Sequence, residues 1–205
     1  MIINLLFNLY LPLCVFLPCL IFQWYFLRKD QQRETVPLSS MIWRFLFILY
    51  LYLVIETTGV GTFWDFLRYP ETIRPEEINL IPFVAGGLLT RILNAFMFMP
   101  LGFLLPYIWQ RFRRFLPVVG LAASFSFTIE ILQVFNRRVS DIDDLLMNTL
   151  GAFLGFLVWQ LWQKFAKKSS KDIQALGKNE AAAYIFLSLA SVFFLYNWWF
   201  FLRFL

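Results

Sequence analysis

The stretch LPVVGLAASFSFTIEILQVFNRRVSDIDDLLMNTLGAFLGFLVWQLWQKF, residues 116–165, consists of two long apolar runs joined by a short polar turn. Each run is close to the roughly 20 residues that one helix needs to cross a bilayer. Because the apolar residues are continuous and do not alternate with polar ones, the runs favour helices over strands. The stretch therefore predicts two antiparallel membrane-spanning helices.

Four further apolar runs flank this stretch, at residues 1–27, 41–55, 92–109 and 181–201. The chain of 205 residues is 60% hydrophobic and 20% aromatic. Soluble domains rarely exceed about half apolar residues, so much of this side-chain surface must face lipid. We predict an all-α fold, a polytopic integral membrane bundle of about six transmembrane helices in which residues 1–205 form a single membrane domain. Five spans is the alternative, because the second run is short.

Charged residues predict how these spans are oriented. Arg44 lies near one end of the second run, where its side chain is expected to snorkel to the interface. Basic residues concentrate after the first, third and fifth runs, including the linker 164–180. The positive-inside rule then places these basic loops in the cytoplasm, and the acidic loops and both termini outside.

The composition disfavours several kinds of site. Cys14 and Cys19 lie within one apolar run, which argues against a disulfide framework, and the chain has no histidine to complete a zinc site. Any acid–base chemistry would therefore fall to Asp, Glu, Lys or Tyr. The net charge of +5 fits a cytoplasmic loop bias better than a nucleic-acid interface, so membrane lipids are the expected partners.

Polar residues inside membrane spans are costly, and here they concentrate between the third and fifth runs. Glu130 and Gln133 share one helical face, and Asp144 and Asn148 share another. Because a short turn joins the two helices, both pairs are expected at similar depth near the outer interface, with Arg138 as counter-ion of the carboxylates. The predicted functional cluster comprises Asn94, Glu130, Gln133, Arg138, Asp141, Asp144 and Asn148.

A purely structural interpretation of these residues stays open, since Asp and Asn commonly cap helices. Gly151 and Gly155 have the GxxxG spacing that permits close helix packing. Trp198 and Trp199 fit an aromatic belt at the membrane interface. Arg91 and Arg137 are expected to be interfacial anchors.

Several of these residues belong to a wider pattern. It consists of NLIPF at residues 79–83, Asn94, PLGFLLP at residues 100–106, Ser126, Glu130, Gln133, Arg138, Asp141, Asp143, Asp144, Asn148, Thr149, Gly151 and Gly155. Over residues 77–161, this pattern resembles the VanZ-like family. The resemblance implies a bacterial plasma-membrane protein related to reduced susceptibility to teicoplanin, a lipid-bearing glycopeptide antibiotic.

Three kinds of function are compatible with these observations. The first is binding of an amphiphile, such as a lipoglycopeptide or a lipid-linked envelope precursor, with Arg138 holding an anionic head group; it needs no cofactor. The second is an intramembrane enzyme that modifies a lipid-linked head group, using Glu130, Asp141, Asp143 and Asp144 as a general base or as oxygen ligands of a divalent cation. A transporter is disfavoured, because its polar groups would be expected near the bilayer midplane.

Overall fold

The computed structural model describes residues 2–29, 37–69, 74, 78–84, 87–136, 138–166 and 179–201. In chain order, these residues form α1 (Ile2–Lys29), α2 (Leu38–Thr58), α3 (Phe63–Arg68), β1 (Ile78–Asn79), α4 (Leu88–Ile108), a 3-10 turn (Gln110–Phe112), α5 (Phe115–Val134), β2 (Ser140–Asp141), α6 (Ile142–Ala166), α7 (Glu180–Leu195) and α8 (Trp198–Phe201). The predicted linker lies largely outside the described residues, as do Glu77, at the start of the pattern, and Arg137.

Six helical segments of the described chain are long and apolar enough to cross a membrane. They begin with α1, α2, α4, α5, α6 and α7, which confirms the prediction of an all-α polytopic bundle. The last apolar run is not one continuous helix, because α7 ends at Leu195 and α8 begins only at Trp198. This break turns the indoles of Trp198 and Trp199 towards Asp65.

The centre of the bundle is the pair α4 and α6, which start at the same end and run in the same direction. Gly151 and Gly155 lie directly against the main chain of α4, where an added Cβ would overlap the carbonyl oxygens of Ala95 and Met99. The two glycines therefore let the helix backbones meet without intervening side chains, as small residues do in membrane bundles.

The other helices surround this pair. α5 packs against α6, α2 contacts α4, and α7 packs mainly against α1. The buried core between them is largely aliphatic and aromatic, whereas many large apolar side chains on the outside of the bundle are exposed. Such an exposed apolar surface is expected where helices face lipid.

A buried ion pair lies at the end of the bundle where α2 and α7 begin. Arg44 Nε is 2.6 Å from Glu180 Oε1, and the two side chains are 1% and 0% exposed. Trp109 Nε1 and Tyr184 Oη also donate to the Glu180 carboxylate, at 3.0 and 2.8 Å, and Arg44 donates to Ser40 Oγ. The prediction that Arg44 snorkels is wrong, because a carboxylate from another helix compensates its burial.

Candidate functional site

The candidate site forms at the opposite end of the bundle, around a parallel bridge between β1 and β2. Ile78 pairs with Ser140, and Asn79 pairs with Asp141. Asn79 Nδ2 also donates to Asp141 Oδ1 at 3.0 Å, and the main-chain N–H of Ile81 donates to Asn79 Oδ1 at 3.2 Å. The bridge fixes the segment before α4 against the segment before α6.

Glu130 faces this bridge from the last turns of α5 and is 7% exposed. Its Oε2 accepts hydrogen bonds from Ser140 Oγ and from the main-chain N–H of Asp141, both at 3.0 Å. The negative charges of Asp141 and Asp144 also lie close enough to act on Glu130. The carboxylate therefore ties the end of α5 to β2 within an acidic environment.

Asp143 forms the ion pair of this region. Arg91 Nε and Nη2 both lie 2.8 Å from Asp143 Oδ2, while the main-chain N–H of Phe83 donates to Oδ1 at 2.8 Å. Phe83 has a φ of +65°, which is uncommon for a residue with a side chain, so its hydrogen bond helps hold a strained turn. Arg91 therefore supplies a cation within the cluster, and its role as an interfacial anchor stays a prediction.

Asp144 completes the cluster from the first turn of α6. Asn94 Nδ2 donates to its Oδ1 at 2.5 Å, which links α4 to α6 above the glycine contacts. We call this assembly the acidic site. Its members are Asn79, Arg91, Asn94, Glu130, Ser140, Asp141, Asp143 and Asp144.

Some carboxylate oxygens of the acidic site have no hydrogen-bond donor among the described residues. Glu130 Oε1, Asp141 Oδ2 and Asp144 Oδ2 accept no hydrogen bond from the residues that the structure describes. Polar atoms in such positions normally pair with water or with a ligand. The arrangement is thus suited to a molecule that donates hydrogen bonds.

A divalent cation at Glu130, Asp141, Asp143 and Asp144 stays a prediction. Over the described ranges, no group of three or more His, Cys, Asp or Glu side chains is arranged to hold a metal ion. Each acid of the predicted divalent-cation site is instead bound by its own protein partner, as Asp143 is by Arg91 and Asp144 by Asn94.

Two predicted site residues, Gln133 and Arg138, lie outside the acidic site, at the C-terminal end of α2. Gln133 Nε2 donates to the carbonyl of Thr58 at 2.8 Å, and Arg138 Nη1 donates to the same carbonyl. Asn136 Nδ2 donates to the carbonyl of Gly59 at 2.6 Å. The prediction that Arg138 is the counter-ion of the carboxylates is therefore wrong. The last carbonyls of a helix have no partner within it, and Arg138 satisfies one of them.

Gly59 explains why the guanidinium fits there. It ends α2 in the left-handed region with φ of +59°, and a Cβ at this position would lie 3.0 Å from the Arg138 guanidinium carbon. Asn148 lies apart from both groups, deeper in the bundle, where its Nδ2 donates to Ser126 Oγ at 2.9 Å. Asn148 thereby joins α6 to α5.

The acidic site thus contains Asn94, Glu130, Asp141 and Asp144 of the predicted cluster. It also contains Arg91, Asn79 and Ser140, which the sequence reasoning did not select as site residues. Asn79 lay within the recognised pattern and was the available signal for the β1 side of the site. Arg91 carried no such signal, because its partner lies 52 residues away.

A double-mutant cycle tests the two arginine assignments. Arg91→Gln with Asp143→Asn should show a coupling of about 1 kcal/mol or more in unfolding free energy, because the residues form a direct ion pair. Arg138→Gln with Glu130→Gln should be additive to within about 0.5 kcal/mol. Denaturant unfolding of the purified protein in detergent gives both values. Strong coupling between Arg138 and Glu130 would restore the counter-ion assignment.

Comparison with known proteins places these residues in a wider group. The sequence model of the VanZ/LLP1 family matches residues 45–163, which include the whole acidic site. Protein VanZ of Enterococcus faecium is 34% identical over 98 residues, which are 47% of this chain and 60% of that protein. The chain therefore matches less than two thirds of that relative's length. No solved structure matches the chain significantly.

Proposed function

This multi-pass membrane protein belongs to the VanZ/LLP1 family, and we propose that it lowers susceptibility to the glycopeptide teicoplanin by binding an amphiphile. The amphiphile is the antibiotic itself or a lipid-linked envelope precursor that shares its combination of a polar head and an apolar tail. The proposed binding site is the acidic site. Family membership supports the link to glycopeptides, and the geometry supports the kind of head group.

The observation that carries the proposal is the set of free acceptor oxygens on Glu130, Asp141 and Asp144. Carboxylates accept hydrogen bonds from hydroxyl, amide and ammonium groups, and charge-assisted bonds of this kind are the stronger ones. A glycopeptide or a saccharide head group carries many such donors. Arg138 donates to the main-chain carbonyl at the end of α2 and not to these carboxylates.

A neighbouring apolar surface would receive the rest of the amphiphile. The turn between β1 and α4 exposes Leu80, Ile81, Phe83 and Val84 by 64–72%. The main-chain N–H groups of Ile81 and Phe83 bind Asn79 and Asp143, so the turn is attached directly to the acidic site. Exposed apolar patches beside polar groups are typical of ligand and membrane interaction sites.

The proposed orientation places the acidic site at the outer leaflet. Basic residues such as Arg28, Lys29, Arg111 and Arg114 lie at the opposite end, near the Arg44–Glu180 pair. Under the positive-inside rule, that end faces the cytoplasm. A ligand arriving from outside the cell would then meet the acidic site first.

Teicoplanin susceptibility, with vancomycin alongside, tests the proposal in a susceptible Gram-positive host. Strains expressing the wild type, Glu130→Gln, Asp144→Asn or the control Glu56→Gln at matched membrane levels are compared. Glu56 is an exposed acid on α2, outside the acidic site. We expect protection from the wild type and the control, and its loss in both site variants, since losing a charged acceptor should weaken binding roughly tenfold or more.

The outcomes separate the alternatives. A wild type that leaves teicoplanin susceptibility unchanged would overturn the proposed function. Protection that survives both site variants would move the function away from the acidic site. Envelope-lipid profiles of the same strains test whether the protein is an enzyme. A lipid head group that is modified only when Glu130 is intact would favour an intramembrane enzyme over a binding protein.

A further inference from the structure

A second polar assembly lies at the same end of the bundle, around Asp65 of α3. Asp65 is 1% exposed. Its Oδ2 accepts from the main-chain N–H and the hydroxyl of Thr62, both at 2.8 Å. Its Oδ1 accepts from the indole N–H groups of Trp198 and Trp199, at 3.2 and 2.8 Å. One buried carboxylate therefore fixes two stacked indoles, whose ring centroids are 4.0 Å apart.

The fixed indole of Trp199 supports a cation. The guanidinium carbon of Arg68 lies 3.9 Å from the centroid of this ring, and the arginine side chain is exposed. Its N–H groups make no hydrogen bond to the described residues. A guanidinium that stacks flat on an aromatic ring keeps its N–H edge available for a planar or tetrahedral oxyanion.

Arg68 lines a cavity of about 310 Å³ between α3 and α8, near the lower end of the roughly 300–1,000 Å³ typical of ligand pockets. It is lined by Trp64, Leu67, Arg68, Asn197, Trp199 and Phe200. Asn197 Oδ1 accepts from the main-chain N–H of Phe200 at 3.3 Å, while Asn197 Nδ2 donates to no described residue. The cavity thus offers a guanidinium and an amide as donors, between aromatic walls.

We propose that this cavity binds the phosphate of an anionic membrane-lipid head group. Arginine and amide donors are well matched to phosphate oxygens, and none of the described lining residues is a carboxylate that would repel them. Asp65 is buried beneath the indoles with both oxygens occupied. Tryptophans at a membrane interface sit at head-group level, which sets the cavity at the depth of a lipid phosphate.

The site is complementary to the acidic site and does not depend on it. Toward the described residues, the acidic site has unoccupied acceptors, whereas the cavity beside Arg68 has unoccupied donors. The lipid in the cavity would hold α3 and α8 together, because Arg68 and Trp199 come from different elements. It would do so whether or not the protein affects teicoplanin.

Native mass spectrometry of the purified full chain tests this assignment, with phosphatidylglycerol and diacylglycerol as the two lipid probes. Arg68→Gln should weaken phosphatidylglycerol binding roughly tenfold or more, as expected for lost charged hydrogen bonds, and should leave diacylglycerol binding unchanged. Arg28→Gln is the matched control. Arg28 also stacks on an indole, that of Trp24 at 4.4 Å, at the other end of the bundle.

Further variants show whether the geometry of the cavity matters. Arg68→Lys keeps the positive charge but loses the paired N–H groups of the guanidinium, so this variant should bind phosphatidylglycerol more weakly than the wild type. Trp199→Phe keeps a ring but loses the bond to Asp65, and should also weaken binding. Equal effects of Arg68→Gln and Arg28→Gln, or no effect of Arg68→Gln in protein that unfolds like the wild type, would overturn the proposal. Displacement of phosphatidylglycerol by millimolar inorganic phosphate would overturn the assignment to a lipid.

Discussion

Glu180→Ala is expected to destabilise the bundle by about 3–5 kcal/mol, the usual penalty for leaving one member of a buried ion pair unpaired. The substitution would strand the Arg44 guanidinium, which is 1% exposed and 2.6 Å from the lost carboxylate. It would also remove the acceptor of the Trp109 indole and the Tyr184 hydroxyl. The substitution would therefore weaken the packing of α2, α4 and α7 against one another.

Thermal or denaturant unfolding in detergent measures this effect, with the surface variant Glu56→Ala as the control. The double variant Arg44→Met/Glu180→Met should recover much of the loss, because apolar residues of similar size often replace a buried pair without penalty. If Glu180→Ala unfolded like Glu56→Ala, the ion pair would contribute nothing to stability. A double variant as unstable as the single one would show that the lost hydrogen bonds from Trp109 and Tyr184, and not the unpaired charge of Arg44, cause the instability.

Gly151→Ala is expected to destabilise the protein by about 1–3 kcal/mol or more, as overpacking does in a close-packed interface. The added Cβ would overlap the carbonyl oxygen of Ala95, which belongs to the main chain of α4 and has no rotamer by which to move away. The helices would have to separate. Gly155→Ala should behave similarly, through its contact with Met99.

Gly120→Ala is the matched control for these variants. Gly120 also lies within a membrane helix, but nothing stands within 4 Å of the position of its Cβ. Alanine is favoured over glycine in helices by about 1 kcal/mol, so this variant should be neutral or stabilising. In detergent, the free energy of unfolding should then fall for Gly151→Ala and stay the same or rise for Gly120→Ala. A shift in the same direction would show that the close approach of α4 and α6 is not what the glycines provide.

The six spans could be predicted from the sequence because the bilayer allows few alternatives. A long apolar segment in lipid must satisfy its backbone hydrogen bonds internally, which favours a helix whatever its neighbours are. The second apolar run of the stretch 116–165 accordingly falls within α6, which covers Ile142–Ala166. The last run was the exception, because it breaks between Leu195 and Trp198, where the indoles of Trp198 and Trp199 donate to Asp65.

The site was harder to predict because its partners are distant in sequence. Glu130 and Asp141 are joined by a short turn, and their proximity followed from the predicted hairpin. The sequence predicts Arg138 beside the nearest carboxylates, whereas its partner is the main-chain carbonyl of Thr58, 80 residues away. Every residue has a main-chain carbonyl group, so the sequence does not indicate which of them binds a side chain. Arg44 likewise looked unpaired, since Glu180 lies 136 residues further along the chain.

The bridge between β1 and β2 also sets an order of events during biosynthesis. Asn79 and Asp141 are 62 residues apart, and α4 and α5 lie between them in the chain. While a ribosome is still translating α5, the three preceding spans can already be in the bilayer, but Asn79 and Phe83 still lack their partners Asp141 and Asp143. The acidic site therefore forms only after Asp144 has been synthesised, so a nascent chain that stalls within α5 lacks it.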